Sequence, residues 1–166
     1  MSDELGKHGV TGELCLFGGT VMVLAFAARL STKDVDAIFQ PTQAIRQAAE
    51  KIGTANQFST HWLNDAVKGF VSLHHETMPG NLPQFPHLRL TMPVPEYLLA
   101  MKCMAARIGA VKGEADDVDD ILFLIRHLQL KNAEAVMDIV AAYYPKDKIP
   151  VKAQYLVEGL FAEGKI

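Results

Sequence analysis

The stretch from Gly12 to Phe39, GELCLFGGTVMVLAFAARLSTKDVDAIF, changes its pattern repeatedly, and the order of those changes leaves few folds open. It begins with Leu14-Cys15-Leu16-Phe17, an apolar run of strand length that stops at Gly18-Gly19-Thr20. Val21 to Leu30 is apolar almost throughout. That run is too long for a typical strand and too short to span a bilayer, which predicts a buried helix. From Ser31 to Phe39 the period drops to two, putting Asp34 and Asp36 on one face of a half-buried strand and Val35, Ala37 and Phe39 on the other.

A strand that ends in two glycines and enters a helix lets backbone approach a phosphate closely and aims unpaired helix N–H groups at it. Two aspartates one residue apart on a neighbouring strand are oxygen donors of the kind that hold Mg2+, whose shell phosphate oxygens then complete. Each motif alone is commonplace, a turn in the first case and a solvated strand face in the second. Together, in this order and with Thr32-Lys33 ahead of the carboxylates, they resemble the nucleotidyltransferase (polymerase-β-like) superfamily. Within it the chain looks most like the small prokaryotic nucleotidyltransferases related to abortive-infection and toxin–antitoxin enzymes. The resemblance implies that Gly18, Gly19, Thr20 and Lys33 hold an NTP, and that Asp34 and Asp36 are catalytic and carry Mg2+ (or Mn2+).

The length of 166 residues suits a single domain with a real core, or a domain plus a small helical appendage, and 49% hydrophobic with 21% charged residues argues against a disordered chain. A net charge of −3 gives no general attraction to nucleic acid, so duplex DNA is not an expected partner. Cys15 and Cys103 both lie in apolar segments and read as buried reduced thiols, and Met1 to Val10 has no signal-peptide core. These features lead to the expectation of a cytoplasmic protein without a membrane segment.

Further along, Gln43 to Ile52 has apolar residues at helical spacing and is expected to close at Gly53; Trp62 to Val67 reads as a short helix or turn anchored by Trp62. His74-His75-Glu76 is a poor chelator, because adjacent side chains project in different directions. Pro86 to Met92 alternates as a strand and has Arg89 or Thr91 where many nucleotidyltransferases supply a third carboxylate. Glu96 to Ile108 is a strong helix with Lys102 inside its apolar run, where a lysine either snorkels to water or meets an acidic partner. The related enzymes carry an active-site Lys in a Leu-Leu-Ala-Met-Lys helix, and Leu98 to Lys102 matches that pattern.

Ala115 to Gln129 predicts a helix whose first turn holds Asp116, Asp117, Asp119 and Asp120, residues that offset the macrodipole without needing any other role. The related enzymes have Lys-Asp-x-x-Asp here. That pattern matches Asp117 and Asp120 and nominates Asp117 as the catalytic partner of Lys102, or Asp116 if the helix shifts by one residue. Helices at Asn132 to Tyr144 and Lys152 to Glu163 complete the chain.

The expected fold is α/β (α+β): a small mixed sheet flanked by helices, with a nucleotidyltransferase core over about 12–91 and a helical C-terminal part over about 95–166. The implied activity moves a nucleoside monophosphate from an NTP to a protein or RNA acceptor such as tRNA, as part of a toxin–antitoxin or phage-defence pair. The alternative is a catalytically inactive nucleotidyltransferase-like protein-interaction module.

Overall fold

The computed structural model describes residues 1–106 and 117–166, which form a mixed α and β structure with one five-stranded mixed sheet. The chain falls into two compact units, Met1–Gly69 with Thr77–Pro93, and Phe70–Glu76 with Val94–Ile166.

In the first unit, β1 (Gly12–Leu16) is the central strand. It pairs antiparallel with β2 (Val35–Gln40), Leu16 opposite Ala37 and Glu13 opposite Gln40. On its other side β5 (Leu88–Pro93) runs parallel, Cys15 beside Thr91. Two short strands, β3 (Leu63–Asn64) and β4 (Thr77–Met78), extend the sheet to the order β3-β2-β1-β5-β4. The period-2 pattern sorts its faces: Leu14, Leu16, Ala37, Phe39, Leu88 and Met92 are buried, whereas Glu13, Cys15, Asp36, Ile38, Gln40, Arg89 and Thr91 on the opposite face are half-buried or exposed. The apolar face is covered by α1 (Ser2–Gly6) and α3 (Thr42–Asn56), whose Leu5 and Ile45 side chains both reach the β1 backbone at Gly12. Lys51 of α3 ties the two helices by an ion pair to Glu4 at 2.6 Å.

The helix after the glycine turn differs from expectation. α2 spans Gly18–Leu24, so it takes in the glycines and ends early. Beyond it Ala27 adopts a left-handed φ of 50°, the Ala28 N–H bonds back to the Met22 carbonyl at 2.8 Å, and Leu30 stands fully in solvent. Apolar composition alone does not extend the helix, because a helix is held by a packed face and Leu24, its last residue, is already exposed. Helix α3 likewise runs through Gly53 and stops at Gln57, which takes the left-handed conformation while the Phe58 N–H bonds to the Gly53 carbonyl at 2.9 Å. Gly53 serves close packing: a Cβ there would meet the Trp62 indole at 3.0 Å. Trp62 is half-buried and leads into β3 and then a 3₁₀ turn over Ala66–Phe70, where the sequence predicts a short helix or turn over Trp62 to Val67.

The second unit is helical, with α4 (Pro95–Ala105), α5 (Asp117–His127), α6 (Ala133–Tyr143) and α7 (Val151–Ala162). Helix α4 is buried continuously from Tyr97 to Cys103 and packs against each of the other three, as a helix apolar on nearly all sides must. The expected helix extension to Ile108, the Lys112-Gly113-Glu114 loop, the start at Ala115 and Asp116 lie outside the described residues. Asn132 caps α6 by accepting from the Ala135 N–H at 2.8 Å. The strap Phe70–Glu76 is pinned to this unit by Tyr97, whose hydroxyl accepts from the Ser72 N–H at 2.8 Å, and by the Tyr144 hydroxyl, which donates to the Phe70 carbonyl.

Candidate functional site

The end of β1 sets the site. Phe17 donates its N–H to the Asp36 carbonyl at 2.8 Å, the last bond between the two strands before the chain turns away at Gly18. Gly18 sits at φ 56°, a conformation that favours glycine, and a Cβ there would lie 2.9 Å from the Asp36 carboxylate oxygen Oδ2. At Gly19 a Cβ would lie 2.7 Å from Thr32 Oγ1 and 3.5 Å from Arg29 Nη1. Gly18 is favoured by its left-handed backbone and Gly19 by the close Thr32 hydroxyl, and the turn they form is walled by a carboxylate, a hydroxyl and a guanidinium.

Thr20 is buried, and its hydroxyl donates to the Asp34 carbonyl at 3.3 Å; the Thr32 hydroxyl donates to the same carbonyl at 3.2 Å. Thr20 thus fixes the loop that carries Asp34. That loop is not strand: β2 begins at Val35, so Asp36 is borne on the sheet while Asp34 precedes it, exposed, beside the exposed Lys33. The expectation of both carboxylates on one strand holds only for Asp36, because β1 ends at the glycine turn and leaves Asp34 nothing to pair with. Arg29 is not singled out by the sequence pattern. Reading Val21 to Leu30 as continuous helix hides it, whereas a basic residue in a short link between the glycine turn and the carboxylates is itself a signal.

Among the described residues there is no group of three or more His, Cys, Asp and Glu poised to hold a metal. Asp34 and Asp36 are the carboxylates near the turn that could hold a divalent ion, since Mg2+ commonly uses one or two carboxylates and takes its remaining oxygens from phosphate and water. No acid stands on β5. Arg89 is bonded to Glu13 across the sheet at 2.8 Å, and Thr91 lies beside Cys15. Burial pushes the Cys15 thiol up, against a smaller downward pull from its hydrogen bond with Thr91.

In the second unit Lys102 is buried, and its Nζ lies 2.9 Å from Asp117 Oδ1 and 2.7 Å from Asp120 Oδ2. The Asp117 contact has hydrogen-bond geometry; the Asp120 contact is at ion-pair distance but outside hydrogen-bond angles. Lys102 does not snorkel. Asp120, at 2% exposed, is the more deeply buried acid, and its spacing of three from Asp117 puts both on one helix face toward the lysine.

Comparison with known proteins adds no name. No family model, curated protein or solved structure matches the chain. Among the described residues no helix is long and apolar enough to cross a membrane.

Proposed function

We propose that the chain is a divalent-metal-dependent nucleotidyltransferase that moves a nucleoside monophosphate from an NTP to a hydroxyl of a protein or RNA acceptor, as one member of a toxin–antitoxin or phage-defence pair. One observation carries the reading: the Gly18-Gly19 turn closes on the Asp36 carboxylate, with the Thr32 hydroxyl and the Arg29 guanidinium beside it. A glycine turn at a helix start admits phosphate to backbone N–H groups, and an adjacent carboxylate and cation supply a metal ligand and a counter-charge.

The roles follow from the chemistry. Gly18 and Gly19 let backbone approach the triphosphate, Thr20 and Thr32 hold the Asp34 loop, and Arg29 with Lys33 offsets phosphate charge. Asp34 and Asp36 would hold Mg2+ or Mn2+, which when bound neutralises charge on the reacting phosphate. The pairing of Lys102 with Asp117 supports the orienting role that the resemblance gives Asp117.

The test is incubation of the protein with each labelled NTP, Mg2+ and cell lysate. Transfer of label to a macromolecule, absent in Asp36→Asn, is expected. The absence of an acid on β5, where Arg89 is engaged by Glu13, favours a second reading as a catalytically inactive interaction module. Nucleotide binding that needs both Mg2+ and Asp34 separates the two, because the inactive module requires neither.

A further inference from the structure

On the α3 side of the sheet, opposite the face that bears Asp36, the first unit holds a cavity of about 460 Å3. Its floor is apolar, built from the buried Phe39, Leu63 and Ala49 and the half-buried Trp62. The indole is fixed: its Nε1 donates to the Ala49 carbonyl at 3.0 Å, and the Gly53 backbone passes against it. Phe58 also lines the cavity, 51% exposed, with its ring edge-on to Trp62 at a centroid distance of 5.5 Å.

Hydroxyls and an amide from Thr54, Gln57, Ser59 and Thr60 complete the lining. Its two charged side chains are opposite in sign, Glu50 and Arg46, and Arg46 is already engaged, its guanidinium 5.4 Å from the Phe39 ring centre and bonded to Asp65 at 2.9 Å. A concave site of this volume with an aromatic floor and a few neutral polar groups has the form of a small-molecule site. The rings favour a flat ligand, and with Arg46 engaged by Asp65 and Glu50 negative the lining gives an anion little counter-charge. We propose that this cavity binds an uncharged planar heteroaromatic ring of nucleobase size, packed on Phe58 and Trp62 with its polar edge toward the hydroxyl and amide groups.

Trp62 is the one tryptophan of the chain, so its emission reports on this cavity. Titration of the intact protein with adenosine, guanosine, cytidine and uridine in turn should give a saturable change in emission with at least one of them. Phe58→Ala should raise the midpoint about tenfold, the scale of losing one stacking ring, while Phe58→Tyr should preserve it. Asp36→Asn should leave the midpoint unchanged, which keeps this site independent of the proposed transferase site. No saturable change with any nucleoside, an unchanged midpoint in Phe58→Ala, or loss of the response in Asp36→Asn would each overturn the proposal; the last would place the nucleoside at the glycine turn.

Discussion

Replacing Lys102 by Met keeps the stem of the side chain and removes only the charge, so it isolates what the ammonium contributes to the helical unit. In the native protein that ammonium lies within 2.9 Å of Asp117 and 2.7 Å of Asp120, and Asp120 is only 2% exposed. Without it, two neighbouring carboxylates face each other, one of them shut away from water. Breaking a buried pair by deleting one partner costs about 3–5 kcal/mol, because the remaining charge is stranded in a poorly solvating site. That is a large share of the roughly 5–15 kcal/mol that holds a typical domain together. Urea unfolding followed by helical circular dichroism should show the midpoint falling accordingly. The double variant Lys102→Met with Asp120→Leu should recover part of the loss, since it removes the buried carboxylate and leaves only the half-buried Asp117 facing the apolar pair. A single variant within about 1 kcal/mol of wild type would refute the reasoning and return Lys102 to the status of a solvated surface lysine.

Asp34→Asn and Asp36→Asn should each abolish metal-dependent label transfer while changing stability by less than about 0.5 kcal/mol, because neither side chain is buried; wild-type transfer in either would remove it from the metal site. Gly19→Val should weaken NTP binding in an equilibrium titration, since its Cβ falls 2.7 Å from Thr32 Oγ1 and must push that wall aside; unchanged affinity would count against the phosphate cradle. Burial pushes the Cys103 thiol up to about 12, so iodoacetamide near neutral pH should modify Cys103 only after denaturation, as read by peptide mass mapping. Hydrogen bonds from Lys51 and Lys7 hold the Glu4 carboxyl down at about 2, so its contribution is full above the ordinary carboxylate range and is lost as pH falls through that range towards 2. Glu4→Gln should flatten the acid limb of the unfolding midpoint across that window, and an unaltered limb would show that the α1–α3 ion pair does not stabilise the fold.

Period-2 and period-3.6 patterns place β1, β2, β5 and the four C-terminal helices close to where they lie, because burial enforces those periods. Apolar content is a poorer guide to helix length. Val21 to Leu30 looks uniform, yet a helix needs a packed face at each turn, and Leu24 and Leu30 have none. Gly53 reads as a stop because a glycine says nothing of why side-chain space is lacking; here the reason is the Trp62 indole, brought in by later chain. The glycine turn and Asp36 are legible as a local motif. The resemblance nominates Asp117 as the partner of Lys102, and the two lie 2.9 Å apart; the second contact, with Asp120, is not legible, since a helix start rich in aspartates gives no local sign of which of them a neighbouring helix will bury.

The strap Phe70–Glu76 lies between two segments of the first unit in sequence, yet its hydrogen bonds go to Tyr97, Tyr143 and Tyr144. The nearest of these partners lies 25 residues downstream and the farthest 74, so the strap is made before any of them and its last hydrogen bonds wait for the end of α6. Neither unit is one uninterrupted piece of chain. A cut after Pro93 would strand the strap without its receptors, and the detached helices would lose the hydrogen bonds that the strap makes with Tyr97, Tyr143 and Tyr144.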